Sequence, residues 1–215
     1  MSARRSMLAA VAIVVLGGLC ARAAVLGTTG SVAFDADIAL SQAPAPKRLT
    51  ELGQELREAL SAAPADPALH ELHGIVELRA GEIQAAGNEF ERALELRPVA
   101  PVTWANVAEQ RYLAGDTGPV FRTALLNAAR LGPNEPAVQA EVANLGLAMW
   151  DDLAIADRAA VESMVAAGVR RSPREFLQIA GRRGRLMVAC RHFVVPPRQA
   201  DMEWTRTCQG MEATS

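Results

Sequence analysis

Proline spacing constrains this chain more than any other feature. Pro64 and Pro67, Pro98 and Pro101, and Pro133 and Pro136 form pairs three residues apart, and the pairs recur after 34 and then 35 residues. Inside a helix a proline removes a hydrogen bond and clashes with the preceding turn, but at the first helical position its missing N–H has no partner to lose. Each pair therefore ends one helix and starts another. Gly81 and Gly115 lie 34 apart in short AGE (80–82) and AGD (114–116) turns, and they divide each interval into two antiparallel helices. The expected unit is a helical hairpin, which cannot bury its apolar face alone and so has to stack on its neighbours.

Composition agrees with an all-helical fold. Half of the 215 residues are apolar but only 4% are aromatic, and Ala, Leu, Glu and Arg outnumber the β-branched runs that mark strands. The length suits one domain plus a targeting segment. A formal net charge of -2 and a pI near 6.0 argue against nucleic acid as a partner, because neutralising many phosphates requires a strongly basic surface.

Residues 1–27 read as a membrane anchor or signal segment. Arg4 and Arg5 precede an apolar run from Met7 to Ala21, then Arg22 intervenes and small or apolar residues resume. The run is short for a spanning helix, which needs roughly 20 residues, and Ala21 and Ala23 make a small-x-small cleavage site. The stem of Arg22 can instead snorkel to the interface beside a tilted anchor. Both alternatives place the remainder outside the cytoplasm. Leu19 before Cys20 argues against a lipoprotein signal, which wants a small residue there. Residues 28–46, rich in Gly, Ser and Pro, are expected to be a tether. The helical domain is expected over 47–191, with repeats near 67–100 and 101–135 and a helix near 153–171. A further helix starts from a Ser172 cap, and residues 192–215 form a C-terminal tail.

From Pro67 onward the chain resembles tetratricopeptide repeats. Gly74, Gly81, Ala86, Phe90, Ala93 and Pro98 fall on that family's small-residue, turn, packing and terminal-proline positions. In the second unit Trp104, Asn106 and Gly115 match, and Phe121, Leu125, Ala128 and Pro133 follow if the turn at Thr117–Pro119 holds one extra residue. His70, His73 and Glu77 depart from the usual Trp, Leu and Tyr. KRLTELGQELREALSAAP at 47–64 is similar to the second half of a repeat and would form an N-terminal cap. The whole arrangement, with RLGPNEPAVQAEVANLGLAMWDDL after the second repeat, resembles the VpsP-type proteins encoded with bacterial exopolysaccharide assembly systems, over about residues 45–190. That resemblance implies an all-α helical-hairpin solenoid whose buried seam includes Leu56, Leu72, Phe90, Leu94, Trp104, Val107, Phe121, Leu125 and Leu145.

It also implies a groove along the first helices, lined by Glu71, Ile75 and Arg79 in one repeat and Ala105, Glu109 and Tyr112 in the next. This mixture lacks the Lys and Asn set that clamps a peptide carboxylate. His70, His73 and Glu77 share one helical face with metal-ligand residue types, but they occupy packing positions, and polar substitution there is the preferred reading. No metal or cofactor is expected. No nucleophile elbow, phosphate loop or supported Cys/His pair is present, so no enzymatic activity is expected. Arg170, Arg171, Arg174, Arg182, Arg183 and Arg185, with Arg191 beyond, form a basic end. That end suits an anionic polysaccharide, lipid headgroups or an acidic protein, or else is an ordinary solvated face. Cys190 and Cys208 either pair in an oxidising compartment or are unrelated thiols.

The expected function is a non-enzymatic scaffold of exopolysaccharide biosynthesis or export, with protein partners in the cell envelope. It would sit at the bacterial inner membrane with its helical domain in the periplasm, or be cleaved and soluble there. The alternatives are a polysaccharide-binding module that uses the arginine-rich end, and a general periplasmic assembly factor or chaperone.

Overall fold

The computed structural model describes residues 23–25, 27–193 and 202–212, and every regular element among them is helical. The helices are α1 Ala23–Ser41, α2 Pro46–Ala62, α3 Pro67–Ala80, α4 Ile83–Leu96, α5 Pro101–Leu113, α6 Pro119–Leu131, α7 Pro136–Ala148, α8 Ile155–Arg171, α9 Pro173–Arg182, α10 Leu186–Cys190 and α11 Met202–Glu212. Proline opens α2, α3, α5, α6, α7 and α9, where its fixed φ suits the first helical turn. Helices pack in adjacent pairs, and the chain divides into two compact units, one ending at Leu96 and one beginning at Arg97.

The turns within the hairpins follow one design. Gly81 has φ +88° and Gly115 has φ +74°, the left-handed conformation that a side chain resists. The Gly81 N–H donates to the Leu78 carbonyl (3.1 Å) and the Glu82 N–H to Glu77 (2.9 Å); Gly115 and Asp116 repeat the pattern on Tyr112 (3.1 Å) and Arg111 (2.9 Å). These paired bonds satisfy carbonyls that a helix end otherwise leaves without partners. Gly184, at φ +66°, closes α9 in the same way through bonds to Gly181 and Ala180, a third closure that the 34-residue spacing does not reveal.

The turns between hairpins share a different device. At the start of α5 the Trp104 indole N–H donates to the Pro98 carbonyl (2.8 Å), and at the start of α7 the Gln139 amide donates to Pro133 (2.6 Å). At the start of α3, His70 Nε2 lies 3.0 Å from the Pro64 carbonyl. Each donor stands six residues after its proline. What repeats is therefore a hydrogen bond and not a residue type.

In the first unit Ala36, Leu40, Leu49, Leu52, Leu56, Ala59, Leu69 and Val76 form one buried cluster. Ala36 and Leu40 belong to α1, so the stretch expected to be a tether over 28–46 is helical as far as Ser41 and contributes to the core. Its Ser and Thr residues are compatible with helix because their hydroxyls bond back along it: Thr29 to the Val25 carbonyl (3.0 Å) and Ser31 to Thr28 (2.8 Å). Among the described residues α1 is the one helix long and apolar enough to cross a membrane by length and composition, although it carries Asp35 and Asp37. The anchor or signal expected over 1–27 lies almost wholly outside the described residues.

In the second unit α5 touches α7, α6 touches α8 and α7 touches α9, so hairpins lie side by side. Leu125, Val138, Val142, Leu145, Leu147 and Leu177 are buried between them, each such side chain worth about 1.5–3 kcal/mol of apolar transfer. Arg122 on α6 donates twice to Asp157 in the first turn of α8, at 2.6 and 3.1 Å, where the helix terminus also favours negative charge.

Of the nine expected seam residues, Leu56, Phe90, Val107, Phe121, Leu125 and Leu145 are buried, whereas Leu72, Leu94 and Trp104 are half-buried. Trp104 sits at a solvent-reached turn because its N–H serves the Pro98 carbonyl. Ser172 precedes α9 but makes no side-chain cap; Pro173 opens that helix instead. The expected tail over 192–215 contains a helix, α11.

Three substitutions test this packing. A Cβ added at Gly74 would lie 2.5 Å from the Phe90 ring, so Gly74→Ala should cost about 1–3 kcal/mol. Gly181→Ala, in open space on α9, should be neutral or stabilise by up to about 1 kcal/mol. Gln139→Met keeps volume but strips the Pro133 carbonyl of its donor, at a cost of about 1–3 kcal/mol. Denaturant unfolding of the three variants measures all of these.

Candidate interaction surfaces

The first-helix positions expected to line a groove differ in what they offer. On α3, Ile75 packs against the buried cluster, and Arg79 donates to the Leu40 carbonyl at the end of α1 (2.5 Å). Arg79 is exposed along its side chain although its guanidinium bonds within the fold, and Glu71 and Ile75 are half-exposed. On α5, Ala105 is 4% exposed and offers a ligand almost no side-chain surface, unlike what the groove expectation required. Glu109 and Tyr112 are half-exposed.

Tyr112 belongs to a polar face that the sequence expectation missed. The Arg183 guanidinium lies over its ring at 5.7 Å, a cation–π arrangement. Arg183 Nε also donates to Asn144 Oδ1 (2.9 Å), and the Asn144 amide donates to Glu141 Oε1 (3.3 Å). Burial pushes the Glu141 carboxyl above its ordinary pKa, while the Asn144 bond and the Arg183 charge act in the opposite direction. α5, α7 and the end of α9 thus present Tyr112, Glu141, Asn144 and Arg183 as one connected set. Asn144 was available to counting: it stands ninth from Pro136, as Glu109 does from Pro101 and Ile75 from Pro67.

Several arginines of the expected basic patch are committed inside the second unit. Arg171 donates to Gln139 Oε1 and to the Asn134 carbonyl, both at 3.1 Å, and Arg183 serves Asn144. Arg185 pairs with Asp151, and Arg191 lies 3.9 Å from Glu162. Arg170, Arg174 and Arg182 are exposed. The charge of this end is accordingly divided between holding helices together and facing solvent.

The histidine face is brought together with a carboxylate from the next helix. His73, 5% exposed, has Nε2 3.0 Å from Glu77 Oε1 and Nδ1 3.1 Å from Glu89 Oε1. Neither contact is aligned as a hydrogen bond. His70 Nδ1 lies 2.6 Å from the other Glu89 oxygen. The close approach of the His73 ring holds the Glu89 carboxyl below the usual glutamate range; burial opposes this and His70 reinforces it. Among the described residues no group of three His, Cys, Asp or Glu side chains is arranged to hold a metal ion.

Cys190 at the end of α10 and Cys208 on α11 form a disulfide, with 5.3 Å between Cα atoms. Comparison with protein-family models and with curated proteins yields no match to this chain.

Replacing both cysteines with serine removes the covalent link between α10 and α11. Limited proteolysis should then cut readily within 191–212 while the segment from Arg97 to Leu177 stays resistant. Stability should fall by no more than about 3 kcal/mol, the loop-closure value for an 18-residue separation.

Proposed function

We propose that this chain is a tetratricopeptide-type repeat protein, held at or sent across the bacterial inner membrane by its N-terminal segment, and that it organises components of exopolysaccharide biosynthesis or export without catalysing a reaction. The observation that carries the reading is the repeated hairpin. Proline opens α3 and α5, a left-handed glycine follows each of them, and a side chain reaches back to the preceding proline carbonyl. Such hairpins present helix faces of fixed geometry, which suits recognition of another protein.

Partner contact is assigned to the half-exposed face carrying Glu109, Tyr112 and Asn144. Its mixture of a carboxylate, a phenol and an amide favours a polar peptide or helix surface over a uniformly charged polymer. The internal partners of Arg171, Arg183 and Arg185 also weigh against a polysaccharide site at the basic end. Oligomeric state plays no part in this reading.

Deletion of the gene should lower surface polymer, and affinity capture from solubilised envelopes should recover polysaccharide-assembly proteins. Tyr112→Ala combined with Asn144→Ala should reduce that recovery at least tenfold, the loss expected when contacts worth about 1–2 kcal/mol are removed. Unchanged polymer together with no envelope protein recovered would refute the proposal. Salt-sensitive binding of the isolated protein to purified acidic polymer would favour the polysaccharide-binding alternative.

A further inference from the structure

The cluster of His70, His73, Glu77 and Glu89 joins α3 to α4 where tetratricopeptide hairpins usually place apolar knobs, and its donor and acceptor pattern is unusual. His70 has an acceptor at each ring nitrogen: the Pro64 carbonyl at Nε2 (3.0 Å) and a Glu89 oxygen at Nδ1 (2.6 Å). His73 also faces oxygens at both nitrogens, from Glu77 (3.0 Å) and Glu89 (3.1 Å). A neutral imidazole carries one N–H and one lone pair, whereas a carbonyl or an ionised carboxylate can only accept. His70 satisfies both of its neighbours only when it is doubly protonated, and His73, whose contacts are close but not aligned as hydrogen bonds, offsets the charge of the two carboxylates only as an imidazolium. Two imidazolium groups then meet two carboxylates, and the buried charges balance.

We infer that this cluster is a proton-dependent latch on the α3–α4 hairpin. The latch is complete when both imidazoles are doubly protonated and both glutamates are ionised, and it loosens when the rings lose a proton. Once it carries a single proton, His70 must leave either Pro64 or Glu89 without a donor. His73 then leaves a carboxylate buried beside a lone pair. The sign at the acid end is opposite. Because Glu89 is held below the usual glutamate range, its contribution is complete above ~4.3 and disappears as pH falls through its depressed value. The hairpin is therefore tightest at mildly acidic pH, where the rings hold both protons and the glutamates stay ionised.

The other charges near this pair of helices leave the pattern intact. On α3 the Arg79 guanidinium is directed at the Leu40 carbonyl, and Asp66 caps the first turn through the Ala68 amide (2.9 Å). Glu71 is the remaining charge on α3. On α4, Arg92 pairs with Glu95, and Glu91 is exposed. α2 packs against α3 from the other side; its Arg48 pairs with its own Glu51 and Glu55, and Arg57 and Glu58 in its later turns are exposed.

The test uses the full chain in detergent micelles. Long-range proton–nitrogen spectra of the imidazole groups, assigned with single His→Gln variants, should show His70 and His73 doubly protonated at pH 5.5 and each losing one proton as pH rises to 8.5. The thermal midpoint of the first unit should fall by about 5 °C or more over the same range. The variant carrying His70→Trp and His73→Leu should lose this pH dependence, while His192→Gln, which removes a histidine beside Glu162 in the other unit, should keep it. Neutral tautomers of both rings at pH 5.5 would overturn the inference, and so would a wild-type midpoint that does not change between pH 5.5 and 8.5. The spectra decide the matter even if the double variant fails to fold.

Discussion

The bond between a proline carbonyl and a side chain six residues later fixes the turn that leads into α3, α5 and α7. A proline at the turn contributes no N–H, so its segment has fewer backbone donors with which to fix itself. The carbonyls of Pro64, Pro98 and Pro133 are instead met by His70, Trp104 and Gln139 from the first turns of α3, α5 and α7. An imidazole, an indole and an amide share only an N–H at the right reach. That economy explains why the repeat tolerates drift: any donor of suitable length can hold the turn, and each brings its own chemistry. Trp104 adds apolar area, Gln139 uses its oxygen to receive Arg171, and His70 brings a titratable ring.

Close helix approach depends on glycine placed opposite a bulky side chain. A Cβ at Gly74 would collide with Phe90, one at Gly146 with Val161, and one at Gly168 with Phe176. In a close-packed interior such contacts resist expansion, and the helix faces they position become stiff platforms. A platform without reorganisation cost is useful to a protein that works by contact, because less ordering entropy opposes binding. The second unit carries such a face in Tyr112, Asn144 and Arg183, where the cation–π contact and the amide bonds already hold the side chains in place. In the first unit the corresponding positions on α3 support its own fold, since Ile75 and Arg79 are engaged by the buried cluster and by α1.

Much of the architecture was legible in proline and glycine, because those residues act through backbone geometry that no tertiary context alters. Hairpin boundaries and the closures at Gly81 and Gly115 follow from spacing, and the buried Phe90 and Phe121 from the resemblance to tetratricopeptide repeats. α1 was not legible, since its inward side reads Thr29, Ala36 and Leu40, interrupted by Gly30 and Ser31, and a buried threonine disguises the helical period. Neighbouring elements alter what the expected surface residues offer. Ala105 is 4% exposed, and three of the six expected basic-patch arginines bond inside the unit. Those outcomes depend on which helices touch, and a spacing rule does not encode that. The pairing of His73 with Glu89 is of the same kind: the face on α3 was visible, but its partner lies on the next helix.

Residue-resolved hydrogen exchange of the native chain tests most directly whether the proline-bounded hairpin is the structural unit. The account predicts that amides of α3 and α4 open together with one free energy, that amides of α5 and α6 open together with another, and that the proline turns between hairpins are the least protected points. Exchange in which α4 opens independently of α3, or in which the turns at Pro98 and Pro133 are as protected as the helix centres, would contradict it.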